Sequence, residues 1–126
     1  MKKIMVVDDE EDHLFSMKIA LEDAGSDRFN VLPVKSGEEC IEFLKTDKNI
    51  DLIILDIMMP GMSWWEVFDK MISNSDWKDI PVVFLTTRTD RLAENTGEFL
   101  GKGFLNKPVK YQELIKKIDE ILENKG

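Results

Sequence analysis

The chain has 126 residues, one cysteine and a formal net charge of −8, from 25 acidic and 17 basic residues. This length suits a single domain that buries a core without disulfides or a structural metal. The acidic balance argues against direct nucleic-acid binding, which needs a basic face. The lone cysteine fits a reducing, cytoplasmic location, and we expect neither a signal peptide nor membrane insertion, since no stretch approaches roughly 20 apolar residues.

Short apolar runs and amphipathic segments alternate along the chain. From the apolar runs we predict strands over residues 3–7, 29–34, 52–55, 80–85 and 104–105. From apolar positions at 3.6-residue spacing we predict helices over residues 10–24, 37–44, 64–71, 88–100 and 111–123. Five such alternations indicate an α/β fold, in which helices cover both faces of a parallel sheet.

The first predicted helix has one clearly apolar side. Leu14, Met17 and Leu21 define this side, and we expect Ile19 beside them. His13, the only histidine of the chain, stands among polar neighbours. Because no second histidine or cysteine accompanies it, we do not expect a metal ligand there.

Local signals mark the following elements. Ser36 and Ser63 each stand three residues before a glutamate, the capping-box pattern that begins a helix. Pro33 places the second strand at an edge of the sheet, because proline has no N–H for a central ladder. Cys40 lies in an apolar helical pattern without a basic neighbour, so we expect a small buried side chain and not a nucleophile.

The central predicted strand ends in an acid. Leu52–Leu55 form an unbroken apolar run, Asp56 follows directly, and Pro60-Gly61 then forces a turn. The run is typical of a strand covered on both faces, and ligands of open α/β sheets bind beyond the carboxyl ends of the strands. Asp56 is therefore either a ligand-binding residue or a residue that only caps the turn.

Three other apolar runs also end in polar groups. The first strand is followed by Asp8 and Asp9, the fourth by Thr86, and the fifth by Lys107, which precedes a proline. The carboxyl ends of parallel strands meet at one edge of the sheet, so these side chains are expected together. Carboxylates, a hydroxyl and an amine suit a hard cation and a phosphoryl group.

This combination of motifs resembles the receiver domain of two-component response regulators. The matching residues, in chain order, are Asp8-Asp9, Asp56, Met58-Met59-Pro60-Gly61, Thr86 and Lys107-Pro108. The resemblance covers essentially the whole chain, so we expect one receiver domain over residues 1–126, with no effector domain of its own. It implies a flavodoxin-like fold, with five helices around a five-stranded parallel sheet of order 2-1-3-4-5.

The resemblance also implies a metal site. Mg²⁺ would be held by Asp8, Asp9, Asp56 and the backbone carbonyl of Met58, with Asp8 acting through water. The three carboxylates repel one another, and a divalent cation removes that cost.

The implied activity is phosphoryl acceptance followed by a conformational switch. Asp56 would be the nucleophile that takes a phosphoryl group from phosphohistidine, and Lys107 and Thr86 would offset the charge of the transferring oxygens. Thr86 and Phe104 would then change position and reshape the surface formed by the fourth helix, the fifth strand and the last helix.

The implied partners follow from this role. They are a sensor histidine kinase or phosphotransfer protein as donor and a downstream effector protein as reader, and a phosphorylation-dependent dimer is compatible with the pattern. The domain would be a chemotaxis-regulator-like signalling module and not an enzyme, since it would catalyse only its own phosphoryl transfer and dephosphorylation.

Two departures and two alternatives stand beside this interpretation. Trp64 stands where the family usually has glycine, and Thr87 where it usually has a small residue, so the rates of phosphorylation and dephosphorylation are open.

One alternative is a Mg²⁺-dependent aspartyl-phosphate phosphohydrolase, although Met58 stands where that class needs a second acid. The other is a pseudo-receiver that binds partners without accepting phosphate.

Overall fold

The computed structural model describes residues 2–24, 28–46, 49–56, 64–86, 103–106 and 110–125, to which the structural statements below refer. Five strands and four helices alternate along these residues. They are β1 (Lys2–Val7), α1 (Glu11–Ala24), β2 (Phe29–Val34), α2 (Gly37–Thr46), β3 (Leu52–Asp56), α3 (Trp64–Ile72), β4 (Val82–Thr86), β5 (Gly103–Asn106) and a C-terminal helix (Tyr111–Lys125).

The strands form one parallel sheet in the order β2-β1-β3-β4-β5. The predicted flavodoxin-like α/β class is therefore confirmed, the strand order is the one that the resemblance implied, and β2 lies at an edge as Pro33 indicated. The helix predicted over 88–100 lies outside the described residues. So does Ser63 with its capping box.

The core lies on both faces of the sheet because successive strand residues point in opposite directions. On β1, Ile4 and Val6 join a cluster with α1 and the C-terminal helix, whereas Met5 and Val7 join a cluster with α2 and α3. Leu52–Leu55 of the central strand have no exposed surface. Each aliphatic side chain buried in this way contributes roughly 1.5–3 kcal/mol, so the strand before Asp56 is firmly held.

The boundaries differ from the prediction by at most two residues, and hydrogen bonds account for two of these differences. α2 continues to Thr46, two residues past the predicted end, and the Thr46 hydroxyl donates to the carbonyl of Phe43 at 3.2 Å. β4 begins at Val82 and not at Ile80, because the Ile80 N–H donates to the Trp77 carbonyl in the turn after α3.

Two expectations about the helices, one for α2 and one for α1, have different outcomes. Ser36 caps α2 as predicted, since the backbone N–H of Glu39 donates to its hydroxyl at 3.1 Å. The position expected for Ile19 was wrong, because 51% of this residue is exposed. Ile19 follows Met17 by two positions, which is about 200° around a helix, and so it points away from the core.

Candidate metal site at the carboxyl end of the sheet

Three carboxylates meet where β1 and β3 end. The two strands are neighbours with Val7 opposite Leu55, so Asp8 follows one member of this pair and Asp56 follows the other. One side-chain oxygen from each of Asp8, Asp9 and Asp56 lies within 4.8 Å of the other two. The structure therefore brings together the three acids that the sequence analysis selected.

These acids differ in their exposure to solvent. Asp8 is 2% exposed and Asp56 is 3% exposed, whereas Asp9 lies at the surface. The Asp8 backbone N–H donates to the Val34 carbonyl at 3.0 Å, and its Oδ1 accepts from the Glu10 N–H at 2.9 Å. Asp8 thus has a fixed orientation between β1 and the start of α1.

Hard oxygen ligands of this kind suit Mg²⁺. Two unit charges 4.8 Å apart repel by about 3.5 kcal/mol at an effective dielectric of 20. Two carboxylates here are also withdrawn from water, where such charges are costly unless they are compensated. The donor set and its burial therefore fit a divalent cation.

His13 contacts this cluster, which the sequence analysis did not anticipate. Its Nδ1 lies 3.4 Å from Oδ2 of Asp8, and its Nε2 lies 3.4 Å from Oε2 of Glu10. The i,i+3 spacing of Glu10 and His13 could have indicated the second contact. The first depends on how α1 leaves β1, for which no local sequence signal exists.

The other predicted site residues are described less fully. Thr86 ends β4 opposite Asn106 of β5, and Phe104 lies opposite Phe84, so the backbones of both switch candidates occupy adjacent strands. Their side chains are outside the described part of the structure. Met58 and Lys107 lie outside the described residues altogether.

Asp51 shows that an acid beside β3 can have a purely structural role. Its carboxylate accepts from the Lys3 N–H at 2.8 Å, and its own N–H donates to the Lys3 carbonyl at 2.9 Å. This reciprocal pair links the beginnings of β1 and β3. Asp51 therefore lies just before β3 and Asp56 at its last position, so the two acids are at opposite ends of the strand.

Cys40 does not belong to the candidate site. It is fully buried on α2, and burial raises the pKa of its thiol to about 12. The expectation of a buried cysteine is confirmed, and the raised pKa disfavours the thiolate, which is the reactive form.

None of the helices in the described part of the chain combines the length and apolar character needed to cross a membrane.

Comparison with known proteins identifies the family to which the chain is similar. The family model of the response regulator receiver domain matches residues 4–119. Protein PilH of Pseudomonas aeruginosa is 27% identical over 123 residues, which are 97% of this chain and 98% of that protein. A probable cyclic di-GMP phosphodiesterase of Vibrio cholerae is 33% identical over 123 residues, but the chain spans only 27% of its length.

A solved structure supports the same relationship. The chemotaxis response regulator CheY4 of Vibrio cholerae superimposes with a TM-score of 0.84 and 28% identity. The match covers 96% of this chain and 98% of that one.

Proposed function

The chain belongs to the response regulator receiver domain family, which acts in two-component signalling, and on this premise we propose that Asp56 is its phosphoacceptor. The observation that carries the proposal is the position of Asp56. It is 3% exposed at the end of the central strand, with an oxygen within 4.8 Å of oxygens of Asp8 and Asp9. An isolated turn-capping aspartate would not explain three clustered carboxylates.

The proposed reaction is a phosphoryl transfer to the carboxylate of Asp56. A carboxylate oxygen bonds to phosphorus, the phosphorus–nitrogen bond of a phosphohistidine breaks, and the donor imidazole leaves. The product is an acyl phosphate on Asp56. The rigid β3 keeps the nucleophile in one position, which reduces the entropic cost of reaching the transition state.

The residues that would hold Mg²⁺ are Asp8, Asp9, Asp56 and the backbone carbonyl of Met58. The cation, when bound, would supply positive charge against the carboxylates and the phosphoryl oxygens. The hydrogen bonds of Asp8 with Val34 and Glu10 support its part in this role, because they fix its orientation. The part of Met58 is supported by the family resemblance alone.

Lys107 and Thr86 are proposed to contact the phosphoryl group. An ammonium and a hydroxyl would offset the charge of its oxygens. Thr86 ends β4, the neighbour of β3, and the proline after Lys107 restricts the backbone there. Both assignments come from their positions in the receiver pattern.

The proposed output is a switch read by other proteins. Thr86 and Phe104 would couple the charge at Asp56 to the surface formed by the segment 88–100, β5 and the C-terminal helix. A histidine kinase or phosphotransfer protein would donate, and a downstream effector would read this surface. We propose that residues 1–126 act as one cytoplasmic receiver domain, with dimerisation on phosphorylation as one form of output.

Intact-mass measurement tests the acceptor. With Mg²⁺ and phosphoramidate, the wild-type protein should gain one phosphoryl group that is lost in hydroxylamine, and Asp56→Asn should gain none. Asp51→Asn is the matched control, since it removes an acid that flanks the same strand but serves the opposite end of the sheet, and it should be labelled normally.

The same experiment separates the alternatives. Full labelling of Asp56→Asn would overturn the assignment, and a folded wild-type protein that never gains mass would be a pseudo-receiver. Continuous release of phosphate from varied phosphomonoesters, through many turnovers, would instead indicate a phosphohydrolase.

A further inference from the structure

In the edge strand β2, only every second residue directs its backbone N–H and carbonyl away from the sheet. The Lys2 N–H donates to the Arg28 carbonyl at 2.8 Å, and the Asp8 N–H donates to the Val34 carbonyl at 3.0 Å. Backbone groups of successive strand residues alternate between the two sides of the strand. The even-numbered residues from 28 to 34 therefore face β1, and Phe29, Val31 and Pro33 face away from the sheet.

Both outward groups of Val31 are engaged by side chains of α1. The Val31 N–H donates to Oε2 of Glu22 at 3.0 Å, and the Val31 carbonyl accepts from Nζ of Lys18 at 3.0 Å. Lys18 and Glu22 are one helical turn apart and also pair with each other at 3.0 Å. The two side chains thus occupy the positions that a further strand would need.

Pro33 removes another of the outward groups, since it has no N–H to donate. The other outward-facing groups of β2 are the N–H and carbonyl of Phe29 and the carbonyl of Pro33. A new strand bonds to every second residue of an edge. With Val31 occupied between them, Phe29 and Pro33 cannot form a continuous ladder.

We propose that Lys18 and Glu22, together with Pro33, close the β2 edge to strand addition by a second copy of this chain. An open edge is a template for pairing with an identical strand, and soluble proteins block such edges with charged side chains and proline. The closure is independent of phosphorylation at Asp56.

Amide hydrogen exchange tests the local part of this proposal. The Val31 amide should be protected in the wild-type protein although it faces away from the sheet. In Glu22→Ala its protection should fall by roughly five- to tenfold, the effect of losing one hydrogen bond to an acceptor that is partly exposed to solvent. Glu22→Gln keeps an acceptor oxygen and should retain most of the protection. Equal exchange in all three proteins would overturn the assignment.

Self-association tests the consequence. Lys18→Ala/Glu22→Ala should form oligomers as concentration rises, detected by light scattering and by thioflavin binding, while its far-ultraviolet circular dichroism stays native. Glu42→Ala/Lys45→Ala is the matched control, because it removes an ion pair of the same composition from α2, where its side-chain contact is 3.2 Å. The control should remain like the wild type.

Two outcomes would contradict the proposal. One is a folded edge variant that stays as monodisperse as the control over the whole concentration range. The other is association of both variants to the same extent, which would show that loss of surface charge pairs, and not an opened edge, causes it.

Discussion

Asp8 and Asp56 lie beside each other at the ends of β1 and β3, and each is almost completely buried, at 2% and 3% exposure. Burying two acids together costs stability unless a cation or hydrogen bonds compensate them. The parallel register of β1 and β3 nevertheless forces this proximity, because both residues directly follow paired positions of the ladder. This cost is the reason why we propose that a cation binds there.

The first prediction concerns Mg²⁺ and Asp9. Mg²⁺ should raise the melting temperature of the wild-type protein, because it binds the native state alone. At tenfold the dissociation constant the gain is about 1.4 kcal/mol, or roughly 3–6 °C for a domain of this size. Asp9→Ala should lose this response in a thermal denaturation titration with Mg²⁺.

Asp12→Ala is the control for that experiment, because Asp12 is another exposed acid of the same segment but is not part of the carboxylate cluster. It should keep the wild-type response to Mg²⁺. A response that persists in Asp9→Ala and disappears in Asp12→Ala would place the cation on α1 and not at the carboxylate cluster.

The second prediction concerns the thiol of Cys40. Burial raises its pKa from 9.0 to about 12, so at pH 8 the thiolate fraction should be on the order of a thousandfold lower than in the unfolded chain. Reaction with a chromogenic disulfide reagent should accordingly be slow in buffer and fast in denaturant. A thiol that reacts equally fast in both would show that α2 opens readily.

The strands and the carboxylate cluster could be predicted because their signals are local. An unbroken apolar run such as Leu52–Leu55 specifies a buried strand, and an acid directly after it must lie at the carboxyl edge. To predict that the three carboxylates meet, only the order of the strands had to be known in addition, and the family resemblance supplied it. The phosphoryl-binding roles of Thr86 and Lys107 stay predictions.

What could not be predicted depends on contacts between distant segments. The bonds from Lys18 and Glu22 to Val31 require the packing of α1 against β2, and their i,i+4 spacing alone is typical of any exposed helix face. The approach of His13 to Asp8 likewise depends on the angle at which α1 begins. Ile19 was misplaced because its apolar character was weighed above its angular position on the helix.

The third prediction concerns acid sensitivity at Glu22. The hydrogen bond from the Val31 N–H, with a smaller contribution from Lys18, holds the pKa of Glu22 below its usual 4.5. A lowered native pKa stabilises the fold above the unfolded pKa, and this contribution is lost as pH falls through the native value. Because the side chain is 35% exposed, we expect the loss to be only about 1 kcal/mol.

Urea unfolding at pH 6 and pH 3 measures this effect. Glu22→Gln should lose less stability than the wild type between the two pH values, because its amide does not titrate. Glu42 is the control, because its carboxylate lies 3.2 Å from Nζ of Lys45 on α2 and has no bond to a strand backbone in the described part of the structure. Glu42→Gln should lose as much stability as the wild type between the two pH values. Identical pH dependence in all three proteins would mean that the Val31 bond adds nothing to stability.

The last prediction concerns the switch. Thr86 is the last residue of β4, and Phe104 of β5 lies opposite Phe84 of β4. Both backbones therefore belong to the β4–β5 ladder, and β4 is the neighbour of β3, the strand that carries Asp56. Beryllofluoride with Mg²⁺, which mimics a phosphoryl group on Asp56, should therefore shift the amide resonances of Thr86, Phe104 and the segment 88–100. Leu14–Leu21 on α1 should change little, since α1 packs mostly against β2, which lies at the opposite edge of the sheet from β5.

Thr86→Ala separates phosphate binding from signalling. This variant should still accept phosphate at Asp56, because the nucleophile and the carboxylate cluster are intact, but it should lose the distant resonance changes, because the hydroxyl is the proposed link between the new charge and β5. Asp56→Asn should show no response to beryllofluoride and is the control for binding elsewhere. If the mimic shifts only resonances around Asp8, Asp9 and Asp56 in the wild type, the charge is not transmitted through β4 and β5, and output must use another surface.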